Sequence, residues 1–301
     1  MLETLLHTFC VFSLVLYPLH LSRRCLLAAS AILSSLCGGG LVAAPSVPFV
    51  PALTLQTVWQ DNITNADASP DKVSGLELRT LGSAEQRYAL GRDDTFFLKA
   101  DFSGEVWAKY SGLNAISAGP HLALRHKFGL GAYAPAIRLE VMATDAVVRN
   151  SYRSGWTEQV SLSYNQRFSE AWRFELGSDY SNFDARDALF SKRAVTVGTA
   201  ATYDLDERWR LKAGLRYRNG EFISYASTID NPYIANRYVH TYGTSFYASK
   251  LRGHTWSYSI GIAPALAPYT ALDFEFERSN TENALARYVN NIFSLSVVQQ
   301  F

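Results

Sequence analysis

The sequence predicts an all-β fold, a single transmembrane, antiparallel, up-and-down β-barrel of about twelve strands. Three observations predict it. Apolar and polar residues alternate with period two through segment after segment, the pattern of strands with one face in a nonpolar medium and one in a polar medium. Short and long connections alternate along the chain, as they do when hairpins join strands at two dissimilar rims. Aromatic residues are plentiful, at 13%, and charged residues sparse, at 18%. The mean hydropathy is nevertheless only −0.05, too low for a bundle of helices that each need about 20 apolar residues to span a bilayer.

Residues 1–44 contain the long apolar runs and read as a signal peptide. Arg23 and Arg24 form its positive start, Cys25 to Leu36 its apolar centre, and Leu41 to Ala44 its small-residue cleavage site, with the cut after Ala43 or Ala44. Residues 1–21 are then a surplus extension, and translation is expected to begin near Leu19 or Leu21. Cys10, Cys25 and Cys37 all lie in this segment, so the mature chain 45–301 is expected to carry no disulfide and no thiol chemistry. Leu36 is too large to precede a lipidated Cys37. Cleavage leaves 26 basic and 26 acidic residues, a balance that offers nothing to a nucleic-acid partner.

The strands follow in order. Clear alternation marks Trp172, Phe174, Leu176 and Tyr180 against Arg173, Glu175, Gly177 and Asp179. It recurs in Trp209, Leu211, Ala213, Leu215 and Tyr217 against Arg210, Lys212, Gly214, Arg216 and Arg218, and in Thr270, Leu272, Phe274 and Phe276 against Ala271, Asp273, Glu275 and Glu277. Weaker alternation covers 52–61, 73–81, 95–110, 115–128, 136–148, 156–168, 193–203, 253–263 and 289–301. Short turns are expected at 129–134, 169–171, 204–208 and 264–268, and longer loops at 63–72, 184–192, 221–252 and 279–287. The short side is the expected periplasmic rim. Two connections resist this scheme: 82–94 is long for a periplasmic turn, and 111–114 is short for a surface loop.

A soluble sandwich alternates too, with its apolar face buried. Aromatic placement separates the two. Phe128, Phe168, Trp172, Tyr203 and Trp209 sit on the apolar face beside short turns, where a bilayer interface holds a girdle of rings. A soluble core would place them mid-strand.

The last strand, from Tyr288 to Phe301, resembles the C-terminal signature of Gram-negative outer-membrane proteins. Phe293, Leu295, Val297 and Phe301 fit the alternate apolar positions and terminal aromatic of that signature, while Gln299 departs from it. The resemblance implies a barrel in the outer membrane, with its lipids and the barrel-assembly machinery as partners, and a monomer is expected. Glu277-Arg278-Ser279-Asn280, followed by a Tyr-rich strand, also resembles the barrel of surface lipoprotein assembly modifiers.

With the apolar face toward lipid, the other face lines a lumen. Candidate constriction residues are then Arg125, Lys127, Arg138, Arg167, Arg173, Arg210, Lys212, Arg216 and Arg218, against Glu140, Glu175, Asp273 and Glu275. A ring of this kind selects anions at a narrow point, or it pairs internally and fills the barrel. These features favour a passive, porin-like channel for small solutes over a structural barrel with a filled lumen. A surface hydrolase is the remaining class: His240 and His254 flank a segment with Asp230, Tyr242 and Ser245, while His121 faces the lumen and His126 the lipid. No catalytic spacing supports it, and no metal or cofactor is expected. The segment 221–252 also offers Tyr225, Pro232, Tyr233, Tyr238 and Tyr242 as a surface for a ligand or partner.

Overall fold

A computed structural model describes residues 47–228, 236–242 and 246–301. The signal-peptide segment 1–44 and its extension 1–21 lie outside the described residues, as do Asp230, Pro232, Tyr233 and Ser245. The strands are β1 (Val47–Gln60), β2 (Gly75–Ala89), β3 (Asp94–Trp107), β4 (Ala115–Lys127), β5 (Ala136–Val148), β6 (Gly155–Arg167) and β7 (Trp172–Ala185). They continue as β8 (Lys192–Asp204), β9 (Trp209–Ala226), β10 (Asn236–Val239), β11 (Phe246–Ala267), β12 (Thr270–Glu282) and β13 (Arg287–Gln300).

Sequential strands pair antiparallel, β9 pairs with β11, and β13 closes on β1 from Ala52↔Gln300 to Gln60↔Ile292. Twelve strands thus form a closed up-and-down barrel with no free edge. The short β10 is additional and pairs only with β11.

The expected connection at 82–94 shrinks to residues 90–93, because β2 runs on to Ala89. Ser83, Glu85 and Arg87 there face Ala84, Gln86 and Tyr88, a stretch too polar on both sides to show period two. For the same reason β12 reaches Glu282, and the loop expected at 279–287 becomes 283–286. The short link at 111–114 is a 3-10 turn, Ser111–Leu113.

The two faces separate as closure requires. Val58 and Glu77 are enclosed at 6% and 1% exposure, while their chain neighbours Trp59 and Leu78 are 39% and 53% exposed. Following the pairing register from these residues assigns a face to every strand position. The outer face carries Leu55, Phe102, Ile116, Leu162, Leu176, Val197, Leu215, Ile260 and Phe274, all exposed and apolar. Such a surface needs a nonpolar solvent. Phe128, Phe168, Trp172 and Trp209 are outward and exposed beside the turns, and Tyr203 packs 4.8 Å from Trp172. Closed barrels resist detergent until heated, so the unboiled protein is expected to migrate faster on a denaturing gel than the boiled one. Identical mobility would contradict closure.

Candidate functional site

The enclosed face carries most of the charge of the barrel wall. Register places Arg125 and Lys127 on it from β4, Arg138 and Glu140 from β5, and Arg167 from β6. Arg173 and Glu175 join them from β7, Arg210, Lys212, Arg216 and Arg218 from β9, and Asp273 and Glu275 from β12. Most of these groups are paired. Lys212 Nζ lies 2.6 Å from Asp273 Oδ2 and 3.2 Å from Glu275 Oε2, reaching across β11 at Gly261. A Cβ on Gly261 would stand 3.0 Å from Lys212 Cε, so the absent side chain opens that reach. Asp204 holds Arg173 and Arg210, each at 2.6 Å. Arg216 pairs with Glu277, and Arg138 with Glu140. Of the four basic residues of β9, therefore, only Lys212 meets the carboxylates Asp273 and Glu275.

Five further members, Glu77, Arg79, Lys99, Asp101 and Glu105, join the lumen-facing His121 and Glu140. Arg79 lies 2.9 Å from Glu77 and 3.5 Å from Glu105. His121 joins Asp101 and Glu140, each at 3.1 Å, and Lys99 adds a contact of 2.7 Å to Asp101. The five lie outside the candidate constriction residues but within the weakly alternating stretches 73–81 and 95–110, where strand parity alone puts them on the enclosed face. Among the described residues, Arg125, Lys127, Arg167, Lys192 and Arg218 form no ion pair, and on the acidic side neither do Glu175 and Asp179. Partly exposed pairs contribute about 0–1 kcal/mol each, so this network sets charge positions more than stability.

The rim that bears the start of β1 and the end of β13 opens into a cavity of about 650 Å³. Arg167, Arg173, Asp204 and Arg210 line it.

The opposite rim is covered. Beyond Gly220 the β9–β11 pair carries four consecutive buried residues, Phe222, Ile223, Ser224 and Tyr225, so both of its faces are packed. One buried cluster unites Ile223, Tyr225, Tyr242 and Phe246 with Ile63 of the β1–β2 loop and Leu189 and Phe190 of the β7–β8 loop. Those loops stand on opposite sides of the ring, so the hairpin bridges the mouth. The β1–β2 loop is built to receive it. Asn62 Oδ1 accepts from Thr64 Oγ1 and Ala66 N, and Asn65 adopts φ +52°, a left-handed conformation that asparagine tolerates. Tyr225 N then donates to Thr64 O at 2.9 Å, Asn65 Nδ2 to Ile223 O at 2.9 Å, and Ser224 Oγ to Asn65 O at 2.8 Å.

Arg153 of the β5–β6 loop donates to the Tyr225 hydroxyl and stacks on the rings of Phe190 and Tyr225, at 5.1 and 5.4 Å. Burial pushes the Tyr242 phenol above its ordinary range, so it stays neutral beside that guanidinium. Losing a stacked, hydrogen-bonded Arg costs about 1–2 kcal/mol. Arg153→Ala is therefore expected to speed amide exchange at Tyr225 by roughly 5- to 30-fold, and protection equal to wild type would remove Arg153 as the latch. Tyr225 and Tyr242, expected at a partner surface, are buried at 4% and 6%, whereas Tyr238 is exposed.

No protein-family model matches the chain, and no curated sequence does. Solved structures do. The COG4313 outer membrane channel from Pseudomonas putida F1 is 15% identical at a TM-score of 0.55, over 87% of this chain and 98% of that one. A KdgM porin is 11% identical at a TM-score of 0.46, over 83% and 99%. The fold is that of the outer-membrane β-barrel channels. At these identities the likeness to such channels extends to the fold alone.

Within this channel fold the histidines are dispersed. His121 is in the lumen network, His126 is outward and 2.8 Å from Asp94, and His240 packs edge-on against Tyr238. His254 lies eight residues along β11 from Phe246, whose partner Val239 precedes His240. At about 3.3 Å per residue the two imidazoles are roughly 26 Å apart, so the structure does not bring them to one site. Phe293, Leu295, Val297 and Phe301 are outward and exposed at the C-terminal end of the barrel wall.

Proposed function

We propose that this chain is an outer-membrane channel for small solutes with a mild anion preference, and that residues 221–226 of β9, 246–252 of β11 and Tyr242 form a mouth cover that must yield for conduction. The observation that carries the reading is a lumen lined from rim to rim by ionic side chains, which stay charged only in contact with water. Among the described residues, the lumen cations without ion pairs outnumber the lumen carboxylates without them, and this favours anions. The rim with the short turns, where β1 starts and β13 ends, is assigned to the periplasm, and the covered mouth to the outside. Phe293, Leu295, Val297 and Phe301 then present the signature read by the barrel-assembly machinery, and the protein functions as a monomer.

Conductance of the refolded protein in a planar bilayer tests this. Discrete steps that carry more anion than cation are expected, and silence even without the hairpin would refute the channel.

A filled structural barrel is the second reading. It is favoured by Phe97, which stands on the enclosed face at 6% exposure with Arg138 and Arg87 stacked at 4.7 and 5.8 Å. A surface hydrolase has no such support. The likeness to surface lipoprotein assembly modifiers carries no separate function, because Glu277 and Ser279 line the lumen while Arg278 and Asn280 face outward, the alternation of any spanning strand.

A further inference from the structure

The outer wall holds a groove of about 810 Å³ whose lining is almost wholly apolar. Its walls come mainly from two adjacent rows of outward residues that cross the strands, with the inward-facing Lys212, Gly261, Glu275 and Ser294 lying between the rows. One row runs Trp59, Phe293, Phe276, Ile260, Ala213 and Ala201, each the register partner of the next or its neighbour on the adjoining strand. The second row ends on Tyr203 and Trp172. Side chains from β1 round to β7 thus share one concavity, which a convex wall does not permit, so the wall is indented here. Large rings stand at both ends, and Ala213 and Ala201 form the floor between them.

A cation stands directly above this groove on the side of the covered mouth. Arg278 follows Phe276 by two residues on β12 and points outward like it. It is exposed, and among the described residues it forms no ion pair or side-chain hydrogen bond. Its outward neighbour across the pair is Tyr258, and one step higher Asn280 faces Trp256, whose ring lies 4.8 Å from Tyr217. The nearest outward carboxylate in this row, Asp61, is engaged by Asn291 at 2.5 Å. A lone outward arginine at the edge of an apolar band, among rings with polar tips, matches the head-group level of a membrane. Guanidinium is also the side chain best shaped for phosphate oxygens.

We infer that this wall is a specific lipid site, in which the groove holds acyl chains and Arg278, with the Tyr258 hydroxyl, takes a phosphate of an anionic lipid. The inference rests on the orientation given under the proposed function, which puts Arg278 in the outer leaflet. The occupant is then the phosphorylated glycolipid of that leaflet. A glycerophospholipid would present one or two chains, whereas a groove spanning this many strands suits several chains side by side.

Native mass spectrometry of the refolded protein tests it, with purified lipid A, phosphatidylglycerol and phosphatidylethanolamine as probes. One lipid A is expected to remain bound through detergent removal, with phosphatidylethanolamine at least tenfold weaker. Arg278→Gln should reduce lipid A retention about tenfold, and Ala213→Phe, which fills the floor, should do the same for lipid A and phosphatidylglycerol alike. Both substitutions are outward, so heat-shifted gel mobility should stay as in wild type and certify folding. Equal retention of all three lipids, retention unmoved by Arg278→Gln, or a second copy of the chain in place of lipid would each overturn the site. Preference for phosphatidylglycerol over lipid A would reject the glycolipid and the orientation together. Conductance is measured in parallel: lipid binding without conductance would reject the channel and leave the site standing, and conductance without binding would do the reverse.

Discussion

Joining Glu221 to Arg252 through an Asn-Gly turn, and so removing residues 222–251, is expected to convert a nearly silent barrel into one that conducts continuously. Glu221 and Arg252 are register partners on β9 and β11, so the shortened hairpin keeps the strand pairing below it intact. What disappears is the cluster that joins Tyr225, Tyr242 and Phe246 to loops on opposite sides of the mouth. With it go the three hydrogen bonds to Thr64 and Asn65. A mouth held shut by a few kcal/mol is open about 0.1–10% of the time. Mean current should therefore rise roughly 10- to 1,000-fold in planar bilayers. If current stays absent while the gel shift confirms a closed barrel, the obstruction lies deeper, at Phe97 between Arg87 and Arg138, and the filled-barrel reading wins.

Arg125→Glu with Lys127→Glu is expected to invert ion selectivity. Both side chains line the end of β4 at the short-turn rim, Arg125 faces Arg138 across the pair, and neither has a carboxylate partner among the described residues. Their fields therefore reach the pore water uncancelled. Reversing two charges close to a permeating ion changes its energy by about 1–2 kcal/mol in a water-like dielectric. The anion-to-cation permeability ratio should then fall by roughly 5- to 30-fold, and the reversal potential in a salt gradient should change sign. Intact conductance with an unmoved reversal potential would place the ion path away from β4.

Much of this architecture is legible without coordinates. Trp209 to Arg218 and Thr270 to Glu277 reveal both their strand state and their facing, because alternation is local and each residue has one of two sides. The C-terminal run from Phe293 to Phe301 is legible in the same way. Alternation fails at Gly82 to Ala89 and at Ser279 to Glu282, where polar residues occupy both faces and the strand ends are lost from view. The candidate lumen residues could be assigned a face, but their partners could not be named. Arg210 pairs with Asp204, six residues back on the neighbouring strand, a partner that alternation does not name.

The sequence by itself determined the number of spanning strands, the closure of the final strand on the first, and the division of apolar and ionic residues between outside and inside. The strands follow from a two-residue repeat that each segment carries independently of the rest, their facing from the rings beside the short turns, and the closure from the likeness of the final strand to the outer-membrane signature. Only the tertiary structure decided that Lys212 crosses a glycine to reach Asp273, that the tyrosines of the long hairpin turn inward to cover the mouth, and that one stretch of outer wall is indented. Each of these depends on wall curvature and on side chains brought together from distant strands, and no local repeat encodes such distances.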